Sequence, residues 1–297
     1  MDINMFLKFL GSNFIFSFCT ILIGFTLSYI LYDKIITRGI KLKDALFEKD
    51  NFSAWLEFTG AFILPILYIS AKALAGSSSD NMWWDLLISL GYVVTYVILF
   101  TLLRLCSSLV VRLLNFKDES GVVRLNDEIY SQNNNAAAIF SIALSVIFVN
   151  IVSFFDPHPE YIVASLLKIS VVLLISLAAI AGYSAVLGRK TTLAREVFED
   201  NNPAASVEFL GFVFTVQMIL NTYINLKEAI SFSESLIITF ISLAIFAVLS
   251  CIFNVLFAKV LKIDLWDEIY QQNNVGAALG RVALYAGIGF IIINYVS

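Results

Sequence analysis

Eight apolar runs, each of roughly membrane-spanning length, divide this chain almost from end to end. They lie near 13–32, 53–72, 84–106, 135–154, 161–186, 204–223, 233–257 and 275–295. A hydrocarbon core about 30 Å thick needs about 20 helical residues to cross it. The runs are continuous rather than alternating, and a segment in lipid must satisfy its own backbone groups, so each predicts a helix and not a barrel strand. With 59% hydrophobic and 14% charged residues, the chain is too apolar for a soluble domain of its size. The fold class that follows is an all-α integral membrane protein with eight transmembrane helices and the lipid bilayer as its surroundings. A net charge of -4, spread thinly, leaves no basic footprint for nucleic acid.

The basic residues orient the spans. Loops after spans one, three, five and seven carry Lys34, Arg38, Lys41, Lys43, Lys49, Arg112, Lys117, Arg124, Arg189, Lys190, Arg195, Lys259 and Lys262. The other side, tails included, carries Lys8, Lys72 and Lys227. The positive-inside rule then places the odd loops in the cytoplasm and both termini outside. The N-terminus lacks a basic leader and a small-residue cleavage site, so no cleavable signal is expected. The stretch from Ala75 to Asn81 reads as an outer linker.

Each even span is preceded by a word of aromatic, polar and asparagine residues: Phe47 to Asn51, Tyr130 to Asn134, Phe198 to Asn202 and Tyr270 to Asn274. The aromatic stands four positions before the last Asn, and Ala three after it, as Ala54, Ala137, Ala205 and Ala277. Words one and three share Glu57-Phe58 and Glu208-Phe209, with Gly60 and Gly211, at an offset of 151. Words two and four share Asp127-Glu128-Ile129-Tyr130 and Asp267-Glu268-Ile269-Tyr270 at an offset of 140. The order is ABAB, a four-span unit in tandem, with residues 1–156 as the first copy and 157–297 as the second. An even number of spans inserts both copies the same way up, which predicts a pseudo-two-fold axis along the membrane normal.

A helix opened by asparagine and small residues, as in Asn133-Asn134-Asn135-Ala136-Ala137-Ala138-Ile139, resembles the YjfL-type bacterial inner-membrane proteins of unknown function. The resemblance implies two fused copies of that family's paired-helix domain and a bacterial inner-membrane location, with no catalytic residues to carry over. Members commonly have Gly before the asparagine, where this chain has Asp50, Asn133, Asn201 and Asn273.

The asparagines have two readings. Asn is among the best N-cap residues, and the small residues after it let helices approach closely, so Asn51, Asn134, Asn202 and Asn274 read first as helix starts. Alternatively, four helix N-termini facing one cytoplasmic vestibule would attract anionic groups. Glu57 and Glu208 lie six residues beyond their asparagines, about 9 Å deeper, where an ionised group is costly and faces protein or water unless it snorkels. Arg281, seven beyond Asn274, is a candidate partner for a glutamate across the bundle. Arg104 and Lys168 sit near span ends and are expected to snorkel. The aromatics of the words are expected at headgroup level on short interfacial helices. Cys19, Cys106 and Cys251 read as buried small hydrophobes, and a single histidine, His158, leaves no metal cluster and no cofactor site to expect.

Glu57, Glu208, Asn51, Asn134, Asn202, Asn274 and Arg281 are therefore the candidate ion- or solute-binding residues. Two functions stay open: a channel or transporter for a small ion or solute, and a non-transporting scaffold or accessory subunit that docks a cytoplasmic protein partner or forms a homo-oligomer. An enzyme is not expected, because no nucleophile–base or metal-ligand constellation is present.

Overall fold

A computed structural model of the protein describes residues 3–75, 81–113, 117–118, 121–188, 190–225 and 231–296. Part of the expected linker (76–80), together with Arg189 and Lys227, lies outside the described residues. Eight helices are long and apolar enough to cross a membrane: α1 (Phe14–Ile36), α2 (Phe52–Leu74), α3 (Trp83–Val111), α4 (Asn135–Ser153), α5 (Ile162–Leu187), α6 (Pro203–Ile224), α7 (Phe232–Val260) and α8 (Val275–Tyr295). They coincide with the apolar runs, except that α1 and α7 continue beyond them through π-helical turns at Tyr32–Ile36 and Phe257–Leu261 and α3 runs on to Val111. Asn81 caps α3, and Ser231 with Glu234 forms a capping box on α7. Besides the helices, the described residues contain a two-residue antiparallel pairing, Lys117 with Val122 and Asp118 with Gly121.

The four helices that follow the asparagine words stand side by side. Helix α4 packs between α2 and α6, and α8 packs on the far side of α6. The other four flank this row: α3 lies against α2 and α4, α5 against α4 and α6, α7 against α6 and α8, and α1 against α2 and α3. Among the described residues, α8 does not return to pack against α2, so the row has two ends. Burial follows from that order. In the central helices α4 and α6, 78% and 67% of the most apolar stretch is buried, against 28% in α8. Outward side chains such as Leu174, Phe240 and Val248 are exposed and apolar, as lipid-facing positions must be.

Two close approaches hold neighbours together. A Cβ on Gly60 would stand 2.4 Å from the side chain of Ile142, and one on Gly211 would stand 2.4 Å from that of Val282. Only hydrogen fits there, so α2 meets α4, and α6 meets α8, backbone to side chain.

Candidate functional site

The asparagine words are joints. The residue before each closing asparagine has a positive φ: 47° at Asp50, 55° at Asn133, 45° at Asn201 and 53° at Asn273. That left-handed turn suits Gly, and Asn and Asp are the L-residues that enter it most readily. The turn delivers the closing asparagine to the helix start, with an extended backbone at Asn51, Asn134 and Asn202. Its side-chain oxygen accepts the amide of Ala54, Ala137, Ala205 or Ala277 at 2.8–3.1 Å.

The rest of each word reaches along the row. Asn51 Nδ2 donates to the Ile129 carbonyl just before the next word at 3.1 Å, Asn134 to Val197 at 2.9 Å, and Asn202 to Ile269 at 3.0 Å. In the opposite direction, Asn133, Asn201 and Asn273 accept the amides of Ser53, Ala136 and Ala204, each at 3.2 Å. Two residues before their words, Glu128, Glu196 and Glu268 also hold the Nδ2 of Asn134, Asn202 and Asn274; Ala45 takes this position before word one. The four candidate asparagines thus lie one after another along the row, each with protein partners. Three are buried, and Asn274, at the end of the row, is exposed.

Six residues into each helix, the joint between neighbours takes one of two forms. Where α2 meets α4, Glu57 is fully buried and receives Arg104 from α3 at 2.5 Å, Tyr130 at 2.5 Å and Ser141 at 2.9 Å. Tyr130 donates to Glu57, so Tyr32, 2.8 Å from the Tyr130 hydroxyl, donates to Tyr130. Where α6 meets α8, Glu208 receives the hydroxyls of Tyr270 at 2.5 Å and Tyr285 at 2.9 Å and is ion-paired with Arg281 at 3.0 Å. Tyr183 stands 2.9 Å from Tyr270 as Tyr32 does from Tyr130. Burial and then the charge on Glu57 push the Tyr130 hydroxyl well above its ordinary range. Burial first, with Tyr183 and Glu208 adding to it, does the same to Tyr270. Both hydroxyls remain donors at neutral pH.

The central joint differs. Phe140 occupies the register of the two glutamates, and Phe198 that of the two tyrosines. Their rings meet edge-on at 5.6 Å, and Phe140 also stacks on Phe209 at 5.4 Å. One scaffold therefore closes the same joint twice with charge and once with aromatic carbon.

The structure brings Arg281 together with Glu208 and leaves Glu57 to Arg104, a partner the sequence reading missed. Arg104 does not snorkel: it is 2% exposed, because the carboxylate beside it offers better solvation than the headgroup region. Lys168 is half-buried. The source of the cation changes between the two sites. Ser141 stands at the Arg281 register, seven beyond its asparagine, so the arginine comes from α3 in one site and from α8 in the other. The tyrosines were also missed, although Tyr32 and Tyr183 share the glutamates' offset of 151. Tyr130, Phe198 and Tyr270 are buried in the joints, and Phe47 is exposed. Cys106 and Cys251 lie on exposed outer faces and not in the interior, since helices in lipid need no inward apolar stripe.

A cleft of about 920 Å³ opens at the asparagine end, between the end of α1, the end of α3 and the second word. Arg38, Arg124, Ser107, Asn126 and Gln132 line it, together with Arg104. No group of three or more His, Cys, Asp and Glu side chains placed to hold a metal occurs among the described residues.

No curated protein and no solved structure matches the chain significantly. A sequence family does, twice in succession, over residues 5–155 and 160–296. By that match across nearly its whole length, the chain belongs to the family described as Domain of Unknown Function (DUF350), in two tandem copies.

Proposed function

We propose that this is a multi-pass bacterial inner-membrane protein of YjfL type that moves a proton or another small cation through two equivalent carboxylate–tyrosine sites, without enzymatic chemistry. The observation that carries the reading is the central joint. Phe140 and Phe198 show what this scaffold needs for packing alone. A buried ion pair is rarely better for stability than apolar residues of similar size, so Glu57–Arg104 and Glu208–Arg281 call for a reason beyond packing. In each site two tyrosine hydroxyls are linked in series to the carboxylate, from Tyr32 through Tyr130 to Glu57 and from Tyr183 through Tyr270 to Glu208. A cation arriving at the carboxylate competes with the arginine for it, and the hydroxyl chain offers a proton path toward the asparagine end. The cleft beside Arg104 supplies an aqueous approach from that end.

In this reading the two halves are an ABAB duplication, the same way up and related by an axis along the membrane normal, with an open row in place of a closed pair. The asparagine words face the cytoplasm and both termini face outward, as the lysine and arginine distribution supports. The test is flux in liposomes containing the purified protein and a trapped pH indicator, compared with empty liposomes. Glu57→Gln with Glu208→Gln should abolish the protein-dependent flux; a folded double variant with unchanged flux would remove both roles.

A second reading, a non-transporting scaffold or accessory subunit with a cytoplasmic partner, is favoured by one observation. The hydrogen-bonding groups of Asn51, Asn134 and Asn202 are taken up in joining neighbouring helices. Protein-dependent flux absent from the wild type, with a stoichiometric partner in the purified material, selects it.

A further inference from the structure

The three joints repeat one set of contacts, and both ends of the row carry an unused half of that set. At each joint the upstream asparagine donates to the carbonyl before the downstream aromatic, at Ile129, Val197 and Ile269. The downstream penultimate asparagine accepts the amide two beyond the upstream asparagine, at Ser53, Ala136 and Ala204. The downstream aromatic settles six residues into the upstream helix, against Glu57, Phe140 and Glu208.

On α8 the upstream half stands open. Asn274 is exposed, whereas its three counterparts are buried. Gly276 takes the register of Ser53, Ala136 and Ala204. Gly280 takes the register of Glu57, Phe140 and Glu208, and a Cβ there would meet nothing within 4 Å. A groove of about 550 Å³ runs along this face, lined by Phe257, Leu265, Asn274, Gly276, Gly280 and Arg281. The first word carries the downstream half. Phe47, its aromatic, is 68% exposed, and Asp50 has the left-handed turn and an acceptor side chain at the register of Asn133. The carbonyl of Leu46 stands where those of Ile129, Val197 and Ile269 stand; it takes the Trp55 indole at 2.8 Å and keeps a second lone pair.

We propose that the first word of a second copy of this chain docks on α8, continuing the row from one molecule into the next. Phe47 of the incoming copy seats over Gly280, where the missing side chain leaves room for a ring. Asn274 donates to the incoming Leu46 carbonyl, and the incoming Asp50 accepts the Gly276 amide. The contact is head to tail, because the two surfaces are different. It builds a ring or a row of molecules, all the same way up, and not a face-to-face dimer. Nothing in it depends on transport.

The test uses full-length protein in lipid nanodiscs or native membranes, with the three native cysteines replaced by serine. Phe47→Cys with Gly280→Cys should cross-link between molecules into a ladder of dimers and larger species, and neither single variant should. A single variant that dimerises as well as the pair would show a face-to-face contact and overturn the proposal. So would a pair that gives no ladder. Gly280→Trp fills the seat at a position where an added Cβ meets nothing within 4 Å and should weaken self-association by about tenfold or more. Wild-type protein that stays monomeric by mass measurement across a wide concentration range, its groove occupied by lipid, refutes the interface independently of any variant.

Discussion

Removing Arg104 alone should be far worse than removing the whole charged site around Glu57. Arg104 and Glu57 are 2% and 0% exposed, so neither can regain water when its partner is lost. In Arg104→Met the Glu57 carboxylate keeps the hydroxyls of Tyr130 and Ser141 and loses the cation paired with it. Breaking a buried pair in this way typically costs about 3–5 kcal/mol, and the retained donors place the expected loss near the lower figure, about 3 kcal/mol. A triple variant, Glu57→Met, Arg104→Met and Tyr130→Phe, converts the site toward the chemistry of the Phe140–Phe198 joint. It leaves no unpaired charge at this joint and should return to within about 1 kcal/mol of wild type. The assay is reversible unfolding of the protein in bicelles by a denaturing detergent, with helicity and tryptophan fluorescence as coincident probes. A single variant within about 0.5 kcal/mol of wild type would mean that the pair is not electrostatically coupled as drawn. A triple variant no more stable than the single would mean that the damage is packing and not an orphaned charge. If the triple variant is stable, its flux separates function from folding: it should conduct through the Glu208 site alone.

Three further outcomes follow from particular contacts. At Asn133, with φ of 55°, Gly should be tolerated at a small loss from the Ser53 cap, whereas Val should cost about 1–3 kcal/mol in the same unfolding assay. Gly211→Ala places a methyl 2.4 Å from Val282 and should destabilise by about 1–3 kcal/mol, whereas Gly182→Ala, with nothing within 4 Å, should be neutral or stabilising by about 0.5–1 kcal/mol. Folding raises the pKa of Tyr130 and Tyr270 above the unfolded value, so the stability linked to that shift is complete below about pH 10. It is lost as pH rises through the higher folded values, and Tyr130→Phe with Tyr270→Phe should flatten unfolding midpoints measured across that alkaline range.

Some of these features are visible along the chain because they depend on near neighbours. Each asparagine caps an amide three residues on, within one helical turn, so Asn51 and Ala54 can be paired on paper. The partnership of Arg281 with a glutamate was likewise readable, since a charge at that depth in an apolar helix needs an opposite charge. Arg104 was misread because it sits near a span end, where snorkelling is the ordinary solution; no local signal says that its helix face turns toward Glu57. The contact of the words' tyrosines with the glutamates was missed for the same reason. Their offset matches that of the glutamates, but an offset reports equivalence and not direction.

By itself the sequence determined the eight spans, the helix starts and the kinship of words one with three and two with four, because length, hydropathy and capping are written in contiguous residues. Only the tertiary structure decided that the words link head to tail in an open row. It alone showed that charge fills two joints and phenyl rings the third, and that the arginine arrives from different helices in the two sites. Those outcomes depend on which faces of distant helices meet. In lipid, helices of uniform apolarity carry no hydrophobic stripe to announce which face turns inward.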